Sequence, residues 1–249
     1  MVLLKIRCDM STKLIIILNL LIILTGCDLL DNFRGGNIES RRFNINTSID
    51  HIKVNNTFDI TLVQDNSSFV DITCGENFQP KVVISIKEKT LMLNHGVNYQ
   101  WINGYEKIKL EIHIPNISSI DVYKPSKIQT LGTFNSTQFR LIDWGNFIDC
   151  NLDVSTDFLR VDSSGDSFGS YSIKGSAIKS VFYCRGSAKF SCTEFQTDTC
   201  QISQESILDL SISVKNFLDV RIESTGNVFY TGNPTINLTR NGKGELIKL

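Results

Sequence analysis

The sequence predicts an all-β protein whose C-terminal part is a right-handed parallel β-helix. Three observations carry that prediction. The chain repeats itself from Ile120 onward with a period near twenty residues. Each copy alternates apolar and polar side chains. Twenty residues are too few for a strand, a helix and a second strand, and no segment shows a 3.6-residue apolar period.

The copies are the segments beginning at Ile120, Phe139, Leu159, Ser180, Cys200 and Val220. Their corner residues Ser126, Gly145, Gly165, Gly186, Ser206 and Gly226 stand 19, 20, 21, 20 and 20 positions apart. Glycine supplies positive φ without a steric penalty and serine bonds its own backbone, so each copy is expected to end in a tight turn. Four residues before each corner stands Val122, Leu141, Val161, Phe182, Ile202 or Ile222, and six before it Ile120, Phe139, Leu159, Ser180, Cys200 or Val220. These positions form the expected interior columns, and the residues between them are mixed polar. A second strand fits between corners at Leu152/Val154, Ile173, Phe195 and Ile212/Val214, with a register that drifts by one residue. Rungs stacked in parallel at about 4.8 Å satisfy this pattern. An antiparallel sandwich explains the alternation but not columns at a fixed twenty. The right hand follows from the crossover rule.

Residues 37–119 read as a strand-rich region without a period that covers the start of the solenoid, and 120–249 as the repeats with a C-terminal cap. Hairpins are expected around Asn55-Asn56 and Lys87-Glu88-Lys89. Ile108 to Ile114 is the cleanest half-buried strand, stopped by Pro115. The turn at Gly232-Asn233-Pro234 and the tail through Leu249 are expected to cover the far end, because an open end is an edge that invites aggregation.

The N-terminus reads as an address. Lys5, Arg7 and Lys13 precede an apolar run from Leu14 to Leu24, too short to span a bilayer. The run ends in Leu24-Thr25-Gly26-Cys27, which resembles the lipobox of bacterial lipoproteins. That resemblance implies a signal peptide over 1–26, starting at Met1 or Met10, cleavage before Cys27, and diacylglycerol on its thiol, with palmitate among the acyl groups of the anchor. Residues 27–36 then serve as a tether. Two or three acyl chains anchor stably where one does not. The expected location is the cell envelope, at the outer membrane with the leaflet left open.

Composition sets outer limits. With 41% hydrophobic and 20% charged residues the chain is neither disordered, collagen-like nor polytopic. A net charge of -1 leaves no basic field for a row of phosphates, so no nucleic-acid partner is expected.

Chemistry-bearing motifs are sparse. His51, His95 and His113 have no ligand spacing, so no metal or cofactor is read, and His113 is expected to face solvent on its strand. No nucleophile elbow, phosphate loop or dinucleotide fingerprint occurs. A β-helix hydrolase or lyase needs clustered outward carboxylates, for which Asp143, Asp162 and Asp166 are the candidates. The same residues serve as ordinary turn formers, with Arg140 and Arg160 as a solvated ladder. Cys8 leaves with the signal, so beyond Cys27 there remain Cys74, Cys150, Cys184, Cys192 and Cys200, an odd number. They are read as small interior hydrophobes, with one disulfide as the alternative. The candidate contact surface is an outward strip of Tyr123, Ile142 and Tyr183 with Trp144 at a turn, suited to flat contact with a glycan, a protein or a second copy of the chain.

Several stretches together resemble one bacterial family. They are Gly36-Asn37-Ile38, Arg41-Arg42-Phe43, Phe58 to Asp65, Cys74-Gly75-Glu76-Asn77, the glycine corners, and Val228 to Pro234. From about Asn37 to Ile247 the chain is similar to the "putative auto-transporter adhesin, head GIN domain" family, DUF2807. The resemblance implies an exported β-helix, a pectin-lyase-like solenoid and often a lipoprotein, that binds rather than catalyses. A polysaccharide lyase or hydrolase and an envelope-stress accessory protein are the alternatives. Ser126 and Ser206 depart from the family's glycine corners.

Overall fold

The structure is a computed structural model that describes residues 35–97, 107–145 and 147–249. The signal segment, Cys27 and most of the tether therefore lie outside the described residues. Strands β1 (Ile38–Asn44), β2 (His51–Val54), β3 (Asp59–Gln64), β4 (Phe69–Gly75), β5 (Val82–Lys87), β6 (Thr90–His95) and β7 (Lys109–Ile114) make up the N-terminal half. They are followed by β8 (Ser119–Val122), β9 (Ser126–Leu131), β10 (Phe134–Asp143), β11 (Ile148–Asp162), β12 (Ser170–Gly186) and β13 (Lys189–Ser206). The chain ends in β14 (Leu210–Ile222), β15 (Val228–Thr231), β16 (Thr235–Arg240) and β17 (Leu246–Lys248). The repeat region is a β-solenoid: β8 to β17 pair only in parallel, rung on rung. Buried columns follow, because like positions of successive rungs meet inside.

All twelve predicted column residues are buried. The alignment of the outermost copies differs from the sequence reading by two residues. Leu141 pairs with Ile120 rather than Val122, and Ile202 pairs with Val220 rather than Ile222. A slip of one would turn every side chain to the other face, whereas a slip of two keeps the interior set inside. The central column therefore reads Ile120, Leu141, Val161, Phe182, Ile202, Val220. The predicted drift of the second strand appears as irregularities between Ser172 and Gly175 and between Cys192 and Gln196.

The corners differ from expectation in their cause. Of the four corner glycines only Gly186 has positive φ, at 65°. At Gly226 the reason is close approach instead: a Cβ there would sit 2.1 Å from the Leu208 carbonyl oxygen of the preceding corner. Ser126 and Ser206 hold their corners with hydroxyls. Ser206 Oγ donates to the Ala188 carbonyl at 2.8 Å and accepts from the Leu208 N–H.

The stack also runs into the N-terminal half, out of chain order. The rung of β2 and β3 lies between that of β6 and β7 on one side and that of β8 and β9 on the other, all in parallel. Antiparallel β4 and β1 extend one strip past β7, and β5 extends the other past β6. Only β5 and β6 form a hairpin among the anticipated ones. The β1 edge is exposed and carries Arg41 and Arg42, a blunted edge, and Arg42 forms a two-point ion pair with Asp71 at 2.7 Å.

At the other end the tail continues the stack. It pairs as one more partial rung, with Ile236 and Leu238 in register over Leu218 and Val220 and 40% and 44% exposed. No disulfide joins the five described cysteines, all of them buried, so the disulfide alternative is not realised. Cys150, Cys192 and Cys200 occupy interior columns beside Tyr171, Ile212 and Ser180. Burial pushes the Cys200 thiol up to about 12, an inert state.

Candidate functional site

The predicted strip divides into parts. Tyr123 and Trp144 follow β8 and β10 at adjacent corners, and their rings stack at 6.4 Å with planes 14° apart. Trp144 is 54% exposed. The Lys53 ammonium lies 4.8 Å from the Tyr123 ring centre. An aromatic platform edged by a cation results, open to solvent on the Trp144 side.

Tyr183 stands further along the solenoid, paired in register with Asp162. It is flanked by the guanidinium groups of Arg160 at 4.9 Å and Arg185 at 5.3 Å. Ile142 corrects the sequence reading. It lies between Asp121 and Asp162 in register and is only 7% exposed, so it offers almost no contact area.

The candidate carboxylates do not converge. Asp143 is buried and ties down its corner: Oδ2 accepts from Ser167 Oγ and Tyr171 OH, each at 2.8 Å, and Oδ1 accepts from the Gly145 N–H at 2.8 Å. Sequence reasoning missed this role. Burial, and next the neighbouring Asp143 carboxyl, hold the Tyr171 phenol well above its ordinary range. Asp162 is clamped by Arg160, with Nη2 to Oδ2 at 2.6 Å. That contact answers the pairing of Arg140 with Arg160 across adjacent rungs. Asp166 is exposed at its own corner. Among the described residues no group of three His, Cys, Asp or Glu is placed to hold a metal ion.

His113 is not the free surface residue that its alternation suggests. Its Nδ1 meets Asp65 at 2.6 Å and its Nε2 meets Glu111 at 2.7 Å, while its ring stacks on Phe69 at 4.2 Å. Carboxylates only accept, so the geometry suits the protonated imidazole, in which both ring nitrogens donate. Burial pulls the His113 pKa down, but the two carboxylate hydrogen bonds outweigh it and leave the value raised. Asp65 is lowered, chiefly by the same hydrogen bond.

The linkage has a definite sign. The His113 contribution is complete below its unfolded value of about 6.5 and is lost as pH rises through the higher folded one. The Asp65 contribution is present above about 3.9 and is lost as pH falls through its depressed folded value. Melting temperature measured from pH 5 to 9 is therefore expected to fall on the alkaline side in the parent and to fall less in His113→Gln. Equal slopes would show that the cluster contributes nothing.

Two hollows open on the described surface. One of about 450 Å³ is walled by Phe58, Ile108, Pro125 and Phe147, with Lys107 and Lys127 at its rim. The other, about 700 Å³ and polar, crosses a different face.

Residues 49–234 match the family described as "Putative auto-transporter adhesin, head GIN domain". The chain belongs to that family. A "putative adhesin" from Bacteroides fragilis NCTC 9343 aligns with a TM-score of 0.76 at 17% identity, over 87% of this chain and 99% of that one. A "putative lipid binding protein" from Parabacteroides distasonis ATCC 8503 aligns at 0.63 and 18% identity, over 86% and 97%. A "putative adhesin" from Parabacteroides merdae ATCC 43184 aligns at 0.63 and 16%, over 87% and 98%. Such identities speak to the fold. No curated protein matches the chain.

Proposed function

We propose that the chain is a lipid-anchored cell-envelope protein that works by adhesion, without a catalytic step. The observation that carries the reading is the exposed Tyr123–Trp144 stack with Lys53 beside it. A rigid aromatic pair presents a large contact area at small entropic loss, the usual make-up of a binding hot spot. Family membership supports the adhesive role, and Leu24-Thr25-Gly26-Cys27 supports anchoring through Cys27. The partner is a glycan or protein surface reached from the outer membrane.

The test joins location to contact. Mass spectrometry of the protein recovered from membranes is expected to give an acylated N-terminal peptide beginning at Cys27. Attachment of cells displaying Trp144→Ala or Tyr123→Ala is expected to weaken about tenfold, the effect of losing ~1.4 kcal/mol from a hot spot. Attachment equal to the parent in both variants would overturn the adhesive reading of this strip, and an unmodified Cys27 would overturn the anchor.

A further inference from the structure

The polar hollow lies on a third strip of the solenoid. There Asn135, Ser155, Ser176, Gln196 and Ser213 stand side by side on successive rungs of β10 to β14. The next column reads Ser136, Thr156, Ala177, Thr197. Small side chains on adjacent rungs leave a trough instead of a ridge, and its volume of about 700 Å³ is that of a ligand site.

The chemistry of the trough is specific. Thr137, Ser155, Asp157, Ser176 and Gln196 make no side-chain hydrogen bond or ion pair within the described chain. Hydroxyl and amide groups among them both donate and accept, as sugar hydroxyls do. Ile178, 57% exposed in the same trough, offers an apolar patch to the C–H face of a pyranose. Asp198 is paired with Lys215 at 3.3 Å, which leaves Asp157 as the trough's charge without a counter-ion among the described residues. A polyuronate would set its carboxylates against it. An extended peptide would gain little here, because β11, β12 and β13 are paired on both sides and present no open edge to a further strand.

Spacing supplies the remaining constraint. Rungs repeat at about 4.8 Å, close to the rise per sugar of an extended β-1,4-linked chain, so successive sugars meet equivalent rungs. We propose that this trough binds an extended neutral β-1,4-linked polysaccharide along the solenoid axis, one sugar to a rung. The inference rests on the binding role proposed above and names a ligand class for it, at a site separate from Tyr123 and Trp144.

The experiment is calorimetric titration of the whole chain with cello- and chito-oligosaccharides of two to six sugars, and with oligogalacturonates. Affinity for one neutral series is expected to climb about tenfold from two sugars to four and then level off, as the rungs of the trough are filled. Oligogalacturonates are expected to bind at least about tenfold more weakly. Ser176→Trp, and independently Gln196→Trp, fill the trough from exposed positions and are expected to cost at least about tenfold, with Val83→Ala, exposed on β5 outside the trough, unchanged. Absence of binding by both neutral series, affinity independent of length, or parental affinity in both Trp variants would overturn the trough. Binding lost in Trp144→Ala but kept in Ser176→Trp would overturn it too, while leaving the adhesive strip standing. Cell attachment insensitive to Trp144 removes the strip without touching the titration.

Discussion

Replacing Asp143 by alanine is expected to lower the unfolding free energy by about 3–5 kcal/mol. The carboxyl group is buried and receives three hydrogen bonds, from Ser167 Oγ, Tyr171 OH and the Gly145 N–H. Alanine leaves all three donors facing a void that the stacked rungs cannot close. Tyr171 loses most, since its ring is fixed between rungs, stacked on Phe190 at 4.3 Å and 5°. Asparagine keeps an acceptor for Gly145 and is expected to cost less, about 1–2 kcal/mol. Tyr171→Phe, which removes one donor and its desolvation together, is expected to cost about 1 kcal/mol. Urea midpoints at constant slope rank the three variants. A midpoint for Asp143→Ala within 0.5 kcal/mol of the parent, the range of an ordinary surface change, would mean that the corner is held by something else.

Asp143 also shows where the sequence stops being legible. The columns were readable because buried residues recur at fixed distances from corner glycines and serines, and Val161, Phe182 and Ile202 lie where that pattern puts them. The two-residue slip between β8 and β10 was not readable, because alternation has a period of two and is blind to even shifts. That slip pairs Asp143 with Val122, inside, so a residue read as a turn former or outward carboxylate became a buried tie.

The place of β2 and β3 between later rungs was hidden for a different reason: residues 37–119 carry no period from which stacking order can be read. Tyr123 and Trp144, which spacing placed on one outward strip, stack their rings at adjacent corners, whereas Ile142, placed on the same strip, is covered. Alternation gives the direction of a side chain but not what its neighbours cover. The trough carried little apolar signal, since it is lined mostly by Ser, Thr, Asn and Gln on neighbouring rungs and becomes visible only once those rungs are aligned.

Phe182→Ala tests the stacking itself and is expected to cost about 3–5 kcal/mol. Phe182 is fully buried between Val161 and Ile202 in register, with edge-on contacts to Phe190 at 6.0 Å and Phe195 at 6.3 Å. Its removal opens a cavity bordered by three rungs. Solenoid stability is a sum of rung terms and nearest-neighbour interfaces, so the loss falls on both interfaces of the β12 rung rather than on that rung alone. Hydrogen exchange is accordingly expected to speed up in the facing parts of β11 and β13 as well as in β12, with β2 and β3 little changed. Ile178→Ala, on the same strand but exposed, is expected to stay within about 0.5 kcal/mol of the parent. If exchange rose in β12 and left β11 and β13 untouched, the interior columns would not be the coupling that holds the rungs together, and the backbone ladders between them would have to carry the stack.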